Sequence, residues 1–345
     1  MPRVEDLSER EARILDTIIQ LYVESAEPAG SQAVAARSRL GVSPATVRNT
    51  MADLEARGYL FHTHTSSGRI PTDLAYRLYV DRLMRHAPPS DQERERLQSE
   101  VMVGGSGPIE EILKRAAQVL GVLTQELGVA VAPALDQAVL ERLELVRVSS
   151  ERLLVVLTLA SGLVRTIFVE VPSAVAPEAV DHVARILNER LTGLPLGTLR
   201  GSVADRLRDA DGEGKSSGLL NVFVAQGDSL FDGEPTAGVL LGSAQPLAEQ
   251  PEFASNTRMR DLLELTERRD LLRSAFEAHR QRGLTITIGG ENADPRLAEF
   301  TLVTSSYRRG NLTGVLGVLG PTRMPYDKII GLVEHTSRLV EGLMT

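Results

Sequence analysis

Between residues 28 and 72 the chain reads PAGSQAVAARSRLGVSPATVRNTMADLEARGYLFHTHTSSGRIPT, and few backbones satisfy its punctuation. Ser43 is a strong N-cap, and Pro44 falls at the first helical position, where a missing N–H costs nothing. Val47, Met51 and Leu54 then recur at helical spacing on one apolar face. Thr46, Arg48, Asn49 and Thr50 are left for the opposite face, and Gly58 can close the helix in a left-handed conformation. A shorter helix, Ser31–Arg37, precedes it, with Ala33, Val34 and Ala36 small enough for close packing. Gly41 supplies the bend between the two. Tyr59–His64 reads as a short strand, Thr65-Ser66-Ser67-Gly68 as a turn, and Arg69-Ile70-Pro71 as the return. The order is that of a winged helix-turn-helix, whose second helix enters the major groove of DNA. On this reading Thr46, Arg48 and Asn49 face base edges. Arg37, Ser43, His62, His64, Ser67 and Arg69 are expected on phosphates or in the minor groove. The plainer alternative is a helical hairpin that only packs. Cap, turn, polar outer face and basic ribbon in this order favour duplex DNA.

Charge refines the expectation. The whole chain carries a formal net charge of −8, and an acidic protein binds DNA poorly without a specific site. Residues 1–86 hold eleven basic and eleven acidic residues and are neutral, so the acidity lies entirely beyond them. A neutral reader with a few placed arginines depends on a specific site and on paired copies, which favours a homodimer. With 345 residues there is room for more than one core. Aromatic residues make up only 4%, so those cores must come from Leu, Val, Ile and Ala. The absence of cysteine excludes a disulfide framework, a thiolate metal site and a thiol nucleophile. The N-terminus has no apolar signal segment, and no apolar run is long enough to span a bilayer, so a cytoplasmic protein without membrane contact is expected.

Periodicity organises the remainder. Ser8 with Glu11 forms a capping box for a helix over Ser8–Glu24, and residues 73–86 continue as a helix after the return strand. Pro88-Pro89-Ser90 breaks the chain, and 88–107 reads as a linker despite the charged helical start DQERERLQSE. Pro108–Leu127, Pro177–Leu191 and Tyr326–Leu343 have helical spacing. Leu143–Val148, Leu153–Leu159 and Leu163–Val171 read as strands, the last two joined at Ser161-Gly162. Leu284–Ile288, Thr301–Tyr307 and Val315–Leu319 are three more. The fold class is therefore α+β and multidomain, with one α+β domain built from 108–195 and 263–345. The stretch 196–262 is rich in Gly, Ser and acid, with strand patterns at Leu219–Val224 and Val239–Leu241. It reads as an inserted subdomain.

Several motifs have bland explanations. Gly214-Lys215-Ser216 lacks the first glycine of a phosphate loop, since residue 209 is Asp209. Gly104-Gly105-Ser106-Gly107 is followed by Pro108 and reads as linker, not as a nucleophile elbow. His62 and His64 alternate on one strand, but no third ligand lies nearby in sequence, so ribbon contacts to DNA explain them better than a metal. Asn311-Leu312-Thr313 is a glycosylation sequon without meaning inside a cell. No catalytic constellation, cofactor site or metal site emerges, which argues against an enzyme.

The stretch VSPATVRNTMADLEARGYLFHTHTSSGRIPTDLAYRLYVD resembles the winged-helix segment of the HrcA family of bacterial heat-inducible transcription repressors. IGGEN at 288–292, the region of Tyr307, and GVLGPTRMPYDKIIGLVEHTSRLV at 317–340 resemble the same family's C-terminal part. The resemblance thins out over 196–262, and it departs at Pro44 and Thr50, where a small residue and a glutamate are expected. It implies a winged helix, a GAF-like α+β domain and an inserted subdomain contributing to dimerisation. It implies as well the CIRCE inverted-repeat operator upstream of chaperone operons, and the GroEL chaperonin as the partner that maintains the active repressor. A reading from another class is a sensor whose GAF-like domain binds a small molecule.

Overall fold

The structure is a computed structural model and describes residues 7–62, 68–85, 87–102, 109–172, 175–208, 217–231 and 238–343. His64, Ser67, the glycines at 104–107 and Gly214-Lys215-Ser216 lie outside these residues. Two compact units are present. One comprises Met1–Val131, Val239–Ser306 and Val315–Val340, the other Ala132–Gly238, Tyr307–Gly314 and Glu341–Thr345. No helix among the described residues is long and apolar enough to cross a membrane.

The first unit opens with the expected capping box. Ser8 N donates to the Glu11 carboxylate at 2.7 Å, and Glu11 N donates to Ser8 Oγ at 3.3 Å. That cap starts α1 (Glu9–Ser25), which buries Ile14, Leu15, Ile18 and Ile19 completely. Helices α2 (Ser31–Ser38) and α3 (Pro44–Ala56) follow, separated by a turn in which Arg39 and Gly41 both have positive φ. A minimal antiparallel ribbon, β1 (Leu60–Phe61) and β2 (Ile70–Pro71), pairs Leu60 with Pro71 and Phe61 with Ile70. The strand expected over Tyr59–His64 is thus only two residues long where it is described. Helix α4 (Asp73–Leu78) runs into a π-helical turn at Tyr79–Leu83 and stops at Met84, short of the expected residue 86. The charged stretch read as linker contains a packed helix, α5 (Asp91–Val101), whose Leu97 and Val101 are fully buried.

Helix α6 (Ile109–Thr124) ends before the expected Leu127 because Gln125 turns left-handed, with φ of 61°. Leu127 instead opens β3 (Leu127–Val131), a strand buried on both faces. Such a short apolar run beside an amphipathic helix has no periodicity of its own to distinguish it.

The second unit is built on a meander of β4 (Leu140–Arg147), β5 (Arg152–Leu159) and β6 (Val164–Glu170). Gly162, with φ of 73°, makes the expected tight turn between β5 and β6. Leu153, Val155, Leu157 and Leu159 alternate onto the inner face, and α7 (Pro177–Leu191) covers them with Val183, Leu187 and Leu191. Asn188 clasps the edge strand: its amide donates to Leu143 O at 2.6 Å, and Leu143 N donates back at 2.9 Å. Short helices α8 (Leu196–Leu199) and α9 (Val203–Leu207) lead to α10 (Ser217–Leu230). The strand expected at Leu219–Val224 is therefore helix. Leu219, Leu220, Phe223 and Leu230 enter the core at helical spacing, and Gly227 lets the helix lie against Val203.

The chain returns to the first unit through β7 (Val239–Leu241), α11 (Gln245–Ala248), α12 (Asn256–Glu267) and α13 (Arg269–Glu277). Strands β8 (Thr285–Ile288), β9 (Phe300–Arg309) and β10 (Leu312–Pro321) precede the closing helix α14 (Tyr326–Leu343). The sheet order is β7-β3-β10-β9-β8. Leu127, Val129 and Val131 share a core with Leu262, Leu272 and Phe276 of α12 and α13, while Gly128 between them meets Ala117 of α6. The strands expected to form one α+β domain therefore divide between two sheets, because hydrogen-bonded partners are chosen in three dimensions.

Within the first unit, α1 and α4 are tied to the five-stranded sheet by arginines. Arg77 donates to both oxygens of Glu291, at 2.8 and 2.5 Å, and to Ile286 O at 2.7 Å. Asp73 accepts from Gly290 N at 3.1 Å. Glycine suits position 289: its φ is 54°, and a Cβ would sit 1.9 Å from the Asp73 carboxylate and displace it from the Gly290 N–H. This is the structural content of the IGGEN motif. Arg323 pairs with Glu252 at 2.5 and 2.9 Å and donates to Val23 O at 2.6 Å.

Glu126, in the α6–β3 turn, is 1% exposed, and its Oε2 has no hydrogen-bond partner among the described residues. Burial pushes its carboxyl well above the usual 4.5. The folded state then holds a proton that the unfolded state has released, so stability falls as pH rises above about 4.5 towards the raised value. Glu126→Gln is expected to melt at a higher temperature than the parent at pH 8 and nearly with it at pH 4.5. A melting difference that does not grow with pH contradicts this.

Candidate nucleic-acid interface

Helix α3 presents its outward side by the rules that built it. Ser43 Oγ accepts from Thr46 N at 3.2 Å, which fixes the N-terminus and the angular position of every later residue. Val47, Thr50, Met51 and Leu54 are buried. Thr50 departs from the polar outer face expected for it and is buried. It lies three residues after Val47 and four before Leu54, so it turns inward, and its hydroxyl donates to Thr46 O at 3.3 Å. Arg48 and Asn49 are exposed, and neither has a hydrogen bond or ion pair among the described residues. Thr46 is half-buried, with its hydroxyl 3.0 Å from Ser43 Oγ. Ser43 and Arg37 are exposed, but both have intramolecular work: Ser43 caps α3, and Arg37 pairs with Glu24 of α1.

The ribbon residues are less free than the sequence suggests. His62 Nδ1 contacts Glu55 Oε1, and Arg69 Nε lies 2.8 Å from Glu55 Oε2, an ion-pair distance without an aligned hydrogen bond. One carboxylate at the end of α3 therefore engages both sides of the ribbon base. His64 and Ser67 are outside the described residues. Arg57 is engaged too, with Glu11 at 3.2 Å and with its guanidinium 5.5 Å from the centre of the Tyr59 ring.

Two residues escaped the sequence reading. Glu55 is one, although a carboxylate in the last turn of a helix opposes the helix dipole and so signals another partner. Arg39 is the other, an exposed cation in the left-handed turn that joins α2 to α3.

A cavity of about 690 Å³ also lies within the first unit, lined by Tyr22, Phe61, Tyr76, Phe253, Phe300 and Arg323 among others. The Tyr76 hydroxyl is buried without a partner among the described residues. Phe253 and Phe300 stack with ring centres 6.0 Å apart.

Residues 110–330 match the model of the HrcA protein C-terminal domain. The chain is 41% identical over 341 residues to the heat-inducible transcription repressor HrcA of Chlorobium phaeobacteroides (strain BS1), covering 96% of each protein. Its identity to the repressor of the same name from Geobacter sulfurreducens is 36% over 344 residues, covering 98% of each. Among solved structures, a protein described only as hypothetical, at 2.2 Å resolution, superposes with a TM-score of 0.67 at 25% identity over 99% of both chains. Similarity of this extent reaches from the capped N-terminal helices to the closing helix, and the chain belongs to the HrcA family of heat-inducible transcription repressors, not of enzymes.

Proposed function

We propose that this chain is a dimeric repressor that occupies the CIRCE inverted repeat upstream of chaperone operons in the cytoplasm. Helices α1–α3 with the ribbon β1–β2 act as its winged helix-turn-helix. The observation that carries the reading is the outward pair on α3, Arg48 and Asn49, exposed and without intramolecular partners among the described residues. An arginine and an asparagine near the start of such a helix suit guanine and adenine edges in the major groove. The five-stranded sheet with α6 and α14 corresponds to the GAF-like domain, and Ala132–Gly238 to the inserted subdomain, a wider insertion than the 196–262 expected. GroEL maintains the active repressor, and heat shock, by occupying the chaperonin with unfolded chains, releases the operons. Footprinting of the purified protein on its own organism's chaperone promoters, with and without chaperonin, tests this. Protection of an inverted repeat that strengthens with chaperonin is expected, and no protection in either condition rejects it.

The dimer is assigned to the outer face of the β4–β6 sheet. Val146, Val164 and Phe168 are exposed there, at 47%, 61% and 65%, and Phe168 stands opposite Leu154, which pairs in turn with Val146. The apolar row Val146, Leu154 and Phe168, with Val156 beside it and charged pairs Arg142–Glu144 and Arg152–Glu170 around it, suits its own copy, since a twofold interface is self-complementary. Phe168→Asp combined with Val164→Asp is expected to shift light-scattering mass from dimer to monomer while leaving the fold intact, because both side chains are exposed. An unchanged dimer at the same concentration removes this face from the interface.

The aromatic cavity around Tyr76 favours a second reading, a repressor that senses a small molecule through its GAF-like domain, whose Phe253 and Phe300 line this cavity together with Tyr22 of α1 and Phe61 of β1. A ligand-shift melting screen of parent and Tyr76→Phe separates the two.

A further inference from the structure

We propose that Glu55 determines how sharply this protein discriminates its operator from bulk DNA, by holding the ribbon-base side chains Arg69 and His62 in intramolecular contacts. The inference rests on the DNA-binding reading above.

The first observation is where the carboxylate sits. Glu55 lies in the last turn of α3, where exposed carbonyls disfavour a negative charge, so its stabilisation comes from partners beyond the helix. Its two oxygens are divided between partners on opposite sides of the ribbon, His62 after β1 and Arg69 before β2. All three side chains are largely but not wholly covered, at 24%, 32% and 20% exposure, so the pairs sit at the protein surface.

The second observation is that the ribbon does not need these pairs to form. Ala29 and Arg69 exchange two backbone hydrogen bonds of 2.9 Å each. Thr72 N donates to Tyr59 O at 3.0 Å, and Thr72 Oγ1 donates to Gly58 O at 2.8 Å. Gly68 packs so closely on Pro28 and Ala29 that a Cβ would lie 2.4 Å from Pro28 O. Backbone bonds and packing already hold the ribbon base, and partly exposed ion pairs add little stability.

What the pairs do change is the field that DNA meets. Arg37 is paired with Glu24, Arg57 with Glu11 and Arg69 with Glu55, whose other oxygen contacts the His62 ring, whereas Arg48 on the base-reading side has no such partner among the described residues. Each cation released to a phosphate adds about 0.9 to the salt dependence of binding and tightens binding to any sequence alike. Specificity is a difference between affinities, and an element that weakens the wrong complex serves it as well as one that strengthens the right one. Glu55 weakens attraction to phosphate in general and leaves the base-reading face of α3 untouched.

The test compares the full-length protein with Glu55→Gln, which keeps size and hydrogen-bonding capacity but removes the charge. Anisotropy titrations over a range of KCl use two duplexes, one carrying the CIRCE inverted repeat and one of the same composition in shuffled order. Glu55→Gln is expected to bind the shuffled duplex about three- to tenfold more tightly, with a salt slope steeper by about one. Operator affinity gains less, so the ratio of the two falls. Adding Arg69→Gln to Glu55→Gln returns the shuffled affinity and slope towards the parent values. Unchanged shuffled binding and slope overturn the proposal. Equal weakening on both duplexes, with a lowered melting temperature, overturns it too and makes Glu55 a prop for the ribbon. If the parent protein binds neither duplex, the DNA-binding reading itself has failed, an outcome distinct from both.

Discussion

Arg48→Ala is expected to weaken operator binding by about 1–3 kcal/mol, or roughly five- to 150-fold in Kd. The magnitude follows from the state of the side chain before binding. Arg48 is exposed and has no hydrogen bond or ion pair among the described residues, so no internal contact has to be broken for its guanidinium to reach a base. A bidentate contact to guanine uses both arms of a planar fork, which a lysine cannot supply, so Arg48→Lys should lose most of the same affinity. Folding should be untouched, since alanine is a better helix former and the position is solvent-facing. The result to look for is a loss on the inverted-repeat duplex that exceeds the loss on a shuffled one. Anisotropy titrations with equal affinities for parent and variant would remove Arg48 from the reading face.

The largest effect on stability is expected at Gly128. It is the second residue of β3, with α6 pressed on the strand so closely that a Cβ would lie 1.9 Å from Ala117 O and 3.0 Å from Gly121 N. Both obstacles are backbone atoms and cannot rotate aside, so the helix must lift from the sheet. Overpacking of this kind costs about 3 kcal/mol or more, which for a unit of this size lowers the melting temperature by about 6–12 °C. Gly30→Ala is the steric control, because nothing lies within 4 Å of the added methyl and its cost is confined to the α2 N-cap, at most about 1 kcal/mol. If Gly128→Ala melts within a degree of Gly30→Ala, α6 does not approach β3 as closely as described.

Much of the local structure was legible in the residues. Ser8 with Glu11, and Ser43 with Pro44, marked the starts of α1 and α3, and the apolar periods of α7 and α14 gave helices over the expected residues. Errors arose where apolar runs were short. The run Leu219–Val224 supports either a strand or a helix, and only its neighbours, Val203 among them, make it helical. Thr50 was misplaced for a different reason: its type is polar, but its angular position relative to Val47 and Leu54 decides burial. In the candidate interface, Arg48 and Asn49 stand where their helical phase put them. The pairing of His62 and Arg69 with Glu55 brings together residues seven and fourteen positions away from it, and no residue type announces it.

Caps, turns and helical phase act over a few residues, so the amino acids alone determined where the N-terminal helices begin and which way α3 faces. Which sheet each strand joined, how closely α6 approached β3, and which carboxylate paired with Arg69 at the ribbon base were decided by tertiary structure. Those outcomes depend on backbone approach and charge pairing between elements that meet only once the chain has folded, and such distances are not encoded in any single segment.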